Sequence, residues 1–164
     1  MKYMAYADFE NLLKITKPRA EYYYYAFLIC GELGLRIHEL LKLKSRNFNR
    51  EKNLVMISRG NKSSFVDEVP LPKNLVPRIT YFLDSKGPDE PLFKLSQRQF
   101  QRKFNDLCLI AGIKNQTISS LRHMKGIELA NQGLNHYQIA MYLRHRNVDT
   151  ARIYVEEVNK INKQ

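Results

Sequence analysis

The chain has 164 residues, which is the length of a single domain and enough to bury a hydrophobic core. Hydrophobic residues make up 44% of it, and this share argues against a disordered chain. Lysine and arginine number 27 against 16 aspartate and glutamate residues; the net charge of +11 favours a polyanionic partner such as nucleic acid, with a solvated basic surface or an anionic membrane as alternatives.

Three helices are predicted in the first 43 residues. Apolar residues recur at helical spacing from Asp8 until Pro18 ends the pattern. A second helix, residues 21–33, is rich in tyrosine and aliphatic residues and is stopped by Gly34, and a short third helix covers residues 36–43. The successive tyrosines of the second helix point around its whole circumference, and core packing explains them more simply than a stacking platform for bases.

A β-hairpin is predicted to follow these helices. Residues 53–58 and 64–69 have the composition of strands. Between them, Arg59-Gly60-Asn61-Lys62-Ser63 is a turn sequence that places two cations at the tip of the hairpin. Prolines at positions 70 and 72 end the second strand, so the hairpin is expected to be short.

Five further helices are predicted after the hairpin. Apolar spacing, glycines just beyond two helix ends and Asn135 as an N-cap indicate helices over residues 75–83, 96–111, 120–131, 135–143 and 150–155. Together the elements predict a mainly α-helical domain with one small antiparallel β-sheet (α+β). We expect this domain to cover residues 1–157 and a lysine-containing C-terminal tail to cover residues 158–164.

The cysteines and the N-terminus bear on metal binding and location. Cys30 and Cys108 lie in apolar surroundings and form no Cys-x-x-Cys or Cys/His pattern, so zinc is not expected and both are interpreted as reduced thiols. The N-terminus shows no secretory signal, and the longest apolar run is far shorter than the ~20 residues that cross a bilayer. A cytoplasmic protein is therefore expected.

Three segments in order carry the candidate chemistry. The first is Gly34-Leu35-Arg36-Ile37-His38-Glu39-Leu40, and the second is the turn at residues 59–62 followed by Val69-Pro70-Leu71-Pro72. The third comprises Leu121-Arg122-His123, Leu143-Arg144-His145 and Tyr154, which stands nine residues after His145. The ordered set resembles the catalytic domain of the tyrosine recombinases, the phage-integrase family, and the likeness covers nearly the whole chain.

The resemblance implies a DNA strand-cleaving and rejoining enzyme of site-specific recombination. Tyr154 would attack a DNA phosphodiester, leaving a 3′-phosphotyrosyl link and a free 5′-hydroxyl that later reverses the step, with no metal ion or other cofactor. The residue types suit this chemistry independently, because Arg36 and Arg122 can clamp phosphate oxygens and His145 can donate to them or move a proton. Lys62 is predicted to protonate the departing 5′ oxygen.

Two positions depart from the family pattern. Ser119 stands where the family has a histidine, and serine cannot hold a proton at neutral pH, so the site is slow, compensated by His145, or retired. The hairpin cation is ambiguous, since counting back from Val69-Pro70 favours Lys62 whereas the local Arg-Gly-Asn-Lys pattern favours Arg59. We take Lys62 as the acid and Arg59 as a phosphate contact.

Plainer interpretations exist for single residues. Arg36 alone could be a helix-surface arginine paired with Glu39 or Glu32, and Glu39 is expected to be structural, holding the helix or Arg36 in place. His123 and His136 are interpreted as structural or surface residues. Four basic residues near the motifs are predicted to contact DNA, namely Arg59, Lys62, Arg144 and Arg146.

The resemblance also bears on extent and assembly. Family members usually carry an N-terminal core-binding domain, which is absent from this chain, so the chain is either a fragment or a naturally minimal protein. Each protomer would supply one tyrosine, and dimers or tetramers on double-stranded DNA are implied. The alternatives are a non-catalytic DNA-binding relative, in which Ser119 marks a decayed site, and a type IB topoisomerase-like relaxing activity.

Overall fold

The structure, a computed structural model, describes residues 2–59 and 66–164 and arranges them as α-helices beside one small antiparallel sheet. This is the mainly α architecture predicted from the sequence, and that prediction is confirmed. Short 3₁₀ turns lie at Ser45–Asn47 and Val148–Ala151. The elements are α1 (Tyr6–Arg19), α2 (Glu21–Leu33), α3 (Ile37–Lys42), β1 (Phe48–Asn49), β2 (Leu54–Ser58), β3 (Val66–Pro70), α4 (Leu75–Asp84), α5 (Gln97–Ile110), α6 (Ile118–Asn131), α7 (His136–Leu143) and α8 (Arg152–Asn162).

The sheet has the order β1-β2-β3, with both pairs antiparallel. Val55 of β2 pairs with Val69 of β3, and both side chains are buried, so one face of the sheet lies on the core. The strand β1 was not predicted, because two residues are too few to show the alternation of apolar and polar residues that indicates a strand. The tip of the hairpin, with Lys62, lies outside the described residues.

Helix α2 forms the centre of the hydrophobic core. The Phe27 ring packs edge-on against Phe100 and Phe104 of α5, with ring centroids 5.4 and 5.5 Å apart. Among the α2 tyrosines, Tyr25 stacks on Phe82 of α4 at 4.5 Å. The tyrosine run therefore serves packing, as the sequence predicts.

Helix α6 connects the main core to a smaller C-terminal cluster. Most of its residues are buried, since α2 packs on one side of it and α8 on another. On α8, Tyr154 and Val158 are buried one turn apart and dock this helix on α6. The last helix was predicted to end at residue 155 but continues to Asn162, because this buried stripe extends beyond the predicted end and the following polar residues are compatible with an exposed face.

Candidate active site

The turn between α2 and α3 brings the parts of the site together. Gly34 ends α2 in the left-handed conformation, with φ of 61°, which glycine adopts without a steric penalty. Its carbonyl oxygen accepts a hydrogen bond from Arg122 Nη1 of α6 at 2.8 Å and another from Arg144 Nη2, just after α7, at 3.2 Å. One backbone oxygen thus joins three distant parts of the chain.

Glu39 holds the arginines of the site in place. Its buried carboxylate accepts from Arg144 Nε at 3.1 Å and from Nη2 at 2.8 Å, and it also accepts from the Arg36 backbone N–H at 2.8 Å and from Arg36 Nη1 at 3.1 Å. Burial alone would raise the pKa of this carboxyl, but the hydrogen bonds and charge of Arg144 outweigh it and hold the pKa below its usual value. Glu39 is thus ionised and structural, as predicted.

Arg36 and Arg122 reach one open cleft of about 280 Å³ between α3, α5 and α6. The Arg36 side chain is 35% exposed there, whereas Arg122 is largely buried and donates to the carbonyl oxygens of Gly34 and Leu143. Burial, followed by the positive charges of Arg36 and Arg144, lowers the pKa of Arg122 to about 10. The guanidinium remains charged at neutral pH, and the cleft is electropositive.

Ser119 lines the same cleft as the two arginines. It is exposed and precedes Arg122 by three residues, so that both side chains lie on one face of α6. Its hydroxyl can hydrogen-bond an anion in the cleft but cannot exchange a proton with it at neutral pH. The departure from the family pattern therefore lies within the cleft itself.

His145 follows α7 and lies beside Tyr154. The two rings are nearly parallel, with centroids 6.2 Å apart. Burial, followed by the charges of Arg122, Arg36 and Arg144, lowers the pKa of His145 to about 4. His145 is therefore neutral at pH 7, and its buried Nδ1 has no hydrogen-bond partner among the described residues.

Tyr154 is buried on α8, with 2% of its surface exposed. Its ring lies directly on Gly126 of α6, where a Cβ atom would come within 2.6 Å of the ring. Its hydroxyl forms a hydrogen bond of 2.9 Å with Nδ1 of His123. Burial raises the pKa of Tyr154, although Arg122 and Arg36 act in the opposite direction.

His123 was missed as a residue of the site. The sequence interpretation treated it as structural or as a surface residue, whereas the structure places it against the candidate nucleophile. A signal was present: His123 and Gly126 are three residues apart on α6, so they share a helix face on which an aromatic ring can lie.

Arg144 does not fit its predicted role as a DNA contact. Its side chain is fully buried in an ion pair with Glu39. Its backbone adopts a left-handed φ of 61°, which residues other than glycine rarely adopt. A guanidinium held in this way cannot reach a phosphate outside the fold. Arg146, two residues further on, is exposed, and a DNA contact by it stays a prediction.

Arg59 lies at the end of β2, beside the hairpin tip. Its guanidinium forms two hydrogen bonds with the Asp67 carboxylate of β3, of 2.6 and 2.8 Å, and its side chain is 48% exposed. The pairing leaves part of the guanidinium accessible to a further anion. The role predicted for Lys62 falls outside the described residues.

Two features are absent from the part of the chain that the structure describes. Within residues 2–59 and 66–164, no group of three or more His, Cys, Asp or Glu side chains is placed to hold a metal ion. Within the same residues, no helix combines the length and apolar character that crossing a membrane requires.

Comparison with known proteins gives one consistent family. The sequence profile of the phage integrase family matches residues 2–160. Tyrosine recombinase XerA of Thermococcus kodakarensis is 26% identical over 159 residues, covering 91% of this chain and 56% of the relative. XerA of Pyrococcus furiosus is 31% identical over 137 residues, covering 77% and 47%. This chain thus spans about half the length of the curated relatives it matches.

Solved structures agree in fold. The crystal structure of XerA recombinase superimposes with a TM-score of 0.81 at 22% identity, covering 94% of this chain and 60% of the other. The XerH site-specific recombinase bound to palindromic difH substrate, in a post-cleavage complex, gives 0.80 at 18% identity, covering 99% and 51%. With the profile match over nearly its whole length, the chain belongs to the phage integrase family.

Proposed function

We propose that this chain is the catalytic domain of a site-specific DNA recombinase that cleaves and rejoins strands through a 3′-phosphotyrosyl intermediate. The observation that carries the proposal is the placement of Arg36 and Arg122 on one open cleft, with His145 and Tyr154 packed together beside Arg122. Membership of the phage integrase family supports the same reaction.

The arginines would bind the scissile phosphate. The phosphodiester gathers negative charge on its non-bridging oxygens as the nucleophile attacks, and guanidinium groups stabilise that charge with directed hydrogen bonds. Arg36 presents a partly exposed guanidinium, while Arg122 adds a buried charge that water screens little. Because Glu39 and the backbone carbonyls already orient these groups, binding DNA requires little rearrangement of this half of the site.

Tyr154 would supply the nucleophile and His145 a hydrogen bond to the phosphate. Burial and then the nearby positive charges lower the pKa of His145; a phosphate in the cleft would offset those charges and favour the protonated imidazole, in which both ring nitrogens donate. Tyr154 is buried, so its hydroxyl has to become accessible to the phosphate when DNA binds. Lys62, or Arg59 in its place, would protonate the departing 5′ oxygen.

The partner we propose is double-stranded DNA, on which the chain would assemble as dimers or tetramers. The net charge of +11 and the exposed Arg59 and Arg146 support DNA binding, and the XerH structure contains a recombinase bound to its DNA substrate. The cytoplasmic location expected from the sequence, like the role of Lys62, stays a prediction.

A covalent trapping experiment tests the proposal. Nicked duplexes with a randomised central segment lose a short 5′-hydroxyl fragment on cleavage, so that rejoining is blocked and the phosphotyrosyl adduct accumulates. We expect wild-type protein to retain DNA through a denaturing gel and Tyr154→Phe to retain none. Sequencing the retained DNA then supplies the preferred target.

The alternatives predict different results. DNA binding without an adduct at any sequence would favour a DNA-binding relative, to which the serine at position 119 and the buried Tyr154 lend some support. Relaxation of supercoiled plasmid without strand exchange would favour a topoisomerase-like activity. The matched control is Tyr137→Phe, which changes an exposed tyrosine on α7 and should leave the adduct unchanged.

A further inference from the structure

The contact between His123 and Tyr154 is a feature that the proposed roles leave unused. His123 lies on α6 and Tyr154 on α8, 31 positions apart, and their Nδ1 and hydroxyl oxygen are separated by 2.9 Å. Gly126 lets the Tyr154 ring lie flat enough on α6 for this contact, since any larger residue would push the ring away. The contact is therefore built into the packing of the two helices.

We propose that His123 accepts the proton of the Tyr154 hydroxyl as the tyrosine oxygen attacks the DNA phosphorus. This inference rests on the proposed strand-cleaving function. The O–H bond of Tyr154 breaks and its proton moves to Nδ1, a bond forms between the tyrosine oxygen and phosphorus, and the bond from phosphorus to the 5′ oxygen breaks. The 5′ oxygen takes its proton from a separate donor, and rejoining returns each proton along the same route.

The described residues offer few other proton acceptors for this step. Ser119, at the position where the family has a histidine, cannot accept a proton at neutral pH. The ring of His145 faces the ring of Tyr154, and His145 forms no hydrogen bond with the tyrosine hydroxyl among the described residues. His123 alone among the described histidines has a ring nitrogen at hydrogen-bond distance from that oxygen.

The charges around His123 determine when the proton can move. Burial, followed by the charge of Arg122, lowers the pKa of His123 from 6.5, so its Nδ1 lone pair is available at pH 7. Burial raises the pKa of Tyr154 above its ordinary value, which already lies well above that of an imidazole, so complete proton transfer before attack is strongly unfavourable. Transfer must therefore accompany formation of the oxygen–phosphorus bond, when the tyrosine oxygen becomes acidic.

A conservative substitution separates proton transfer from simple positioning. In His123→Asn the side-chain amide retains a polar atom near the place of Nδ1, so a hydrogen bond to Tyr154 can persist, but the amide cannot take up a proton at neutral pH. If His123 only holds Tyr154 in position, the variant should react like the wild type. If His123 accepts the proton, the variant should be slow.

The experiment measures adduct formation in a single turnover on the DNA sequence recovered by trapping. We expect His123→Asn to react about 10²–10⁴-fold more slowly than wild type at pH 7 and to lose the wild-type fall in rate below pH 6.5. The matched control, His136→Asn, changes a histidine that packs on Tyr137 away from the site and should keep the wild-type rate. A rate and pH profile within about twofold of wild type for His123→Asn overturns the inference.

A sulfur atom in place of the bridging 5′ oxygen distinguishes the two proton transfers. A thiolate leaves without protonation at neutral pH because its pKa is near 8.5, so a defect in the donor on the leaving-group side is relieved. We expect the sulfur substrate to rescue Lys62→Ala but not His123→Asn. Full rescue of His123→Asn would move His123 to the leaving-group side and overturn its assignment as the acceptor.

A DNA-independent measurement tests the geometry. Nitrogen NMR distinguishes the two neutral tautomers of an imidazole, and acceptance from Tyr154 requires His123 to carry its proton on Nε2. We expect an unprotonated Nδ1 whose resonance shifts in Tyr154→Phe, and a proton found on Nδ1 overturns the inference. Absence of any wild-type adduct would instead defeat the proposed function, and this inference with it.

Discussion

The site consists of two halves that are held in different ways. In the arginine half, Arg36, Arg122 and Arg144 are tied by hydrogen bonds to the Glu39 carboxylate and to backbone oxygens. In the tyrosine half, Tyr154 is held by packing on Gly126 and by one hydrogen bond between its hydroxyl and His123 Nδ1. The phosphate-binding groups are therefore preorganised by a hydrogen-bond network, whereas the nucleophile is positioned mainly by the packing of two helices.

The largest effect is expected from removing the charge of the Glu39 carboxylate, which holds the arginine half together. Glu39→Gln leaves the guanidinium of Arg144 buried without a counter-charge, so we expect the free energy of unfolding to fall by about 3–5 kcal/mol. Urea denaturation measures the change. Glu51→Gln, at an exposed position, is the matched control and should cost less than about 0.5 kcal/mol. A loss as small as that for Glu39→Gln would mean that the network does not hold this half together.

The tyrosine half is tested by filling the space beneath the ring. In Gly126→Ala the new methyl group would clash with Tyr154, and we expect a loss of about 1–3 kcal/mol from overpacking. In a Tyr154→Ala background the same change should be neutral or stabilise α6 by up to about 1 kcal/mol, since alanine favours helix over glycine. Equal losses in both backgrounds, measured by urea denaturation, would show that the cost arises elsewhere.

His145 joins the two halves and should make stability depend on pH. Its folded pKa of about 4 lies below the unfolded value of 6.5, so the unfolded chain binds a proton first and stability is lost as pH falls from 6.5 towards 4. Allowing for its partial exposure, we expect His145 to account for about 1–2 kcal/mol of that loss. Urea denaturation of wild type and His145→Gln at pH 7.5 and 4.5 should show the difference, and parallel behaviour of the two proteins would contradict it.

The smallest effect is expected at the hairpin, outside both halves. Asp67→Asn removes the ion pair of Arg59, which lies at the surface, and should cost less than about 1 kcal/mol in stability. Because the released guanidinium can then bind phosphate, DNA affinity should rise and depend more steeply on salt. Fluorescence anisotropy against salt concentration measures both, and unchanged binding would argue that Arg59 does not face DNA.

In both halves the sequence predicts some features and misses others. Helix spacing places the termini of α2 and α5 to within a residue, and the ordered motifs indicate the segments around Arg36, Arg122, His145 and Tyr154. These features could be predicted because each depends on local spacing or on a motif.

Contacts that depend on tertiary packing could not be predicted. In a basic protein, an arginine next to a histidine such as His145 is expected at the surface. Arg144 is instead buried, because its guanidinium pairs with the carboxylate of Glu39, 105 positions away. Likewise, the contact of His123 with Tyr154 follows from how α8 lies on α6, which helix periodicity does not determine. Both corrections arise between segments distant in sequence.

The shared carbonyl oxygen of Gly34 has a consequence for how the protein is made. Its two donors, Arg122 and Arg144, follow it by 88 and 110 positions. The hydrogen bonds to this oxygen therefore cannot form until residues that leave the ribosome much later have been synthesised. A growing chain contains Arg36 early, but that arginine has no Arg122 beside it and no Arg144 to hold Glu39. The DNA-cleaving centre that we propose therefore cannot assemble before Arg144 and Tyr154 have been synthesised, and synthesis itself delays the appearance of strand-breaking activity until this domain is nearly complete.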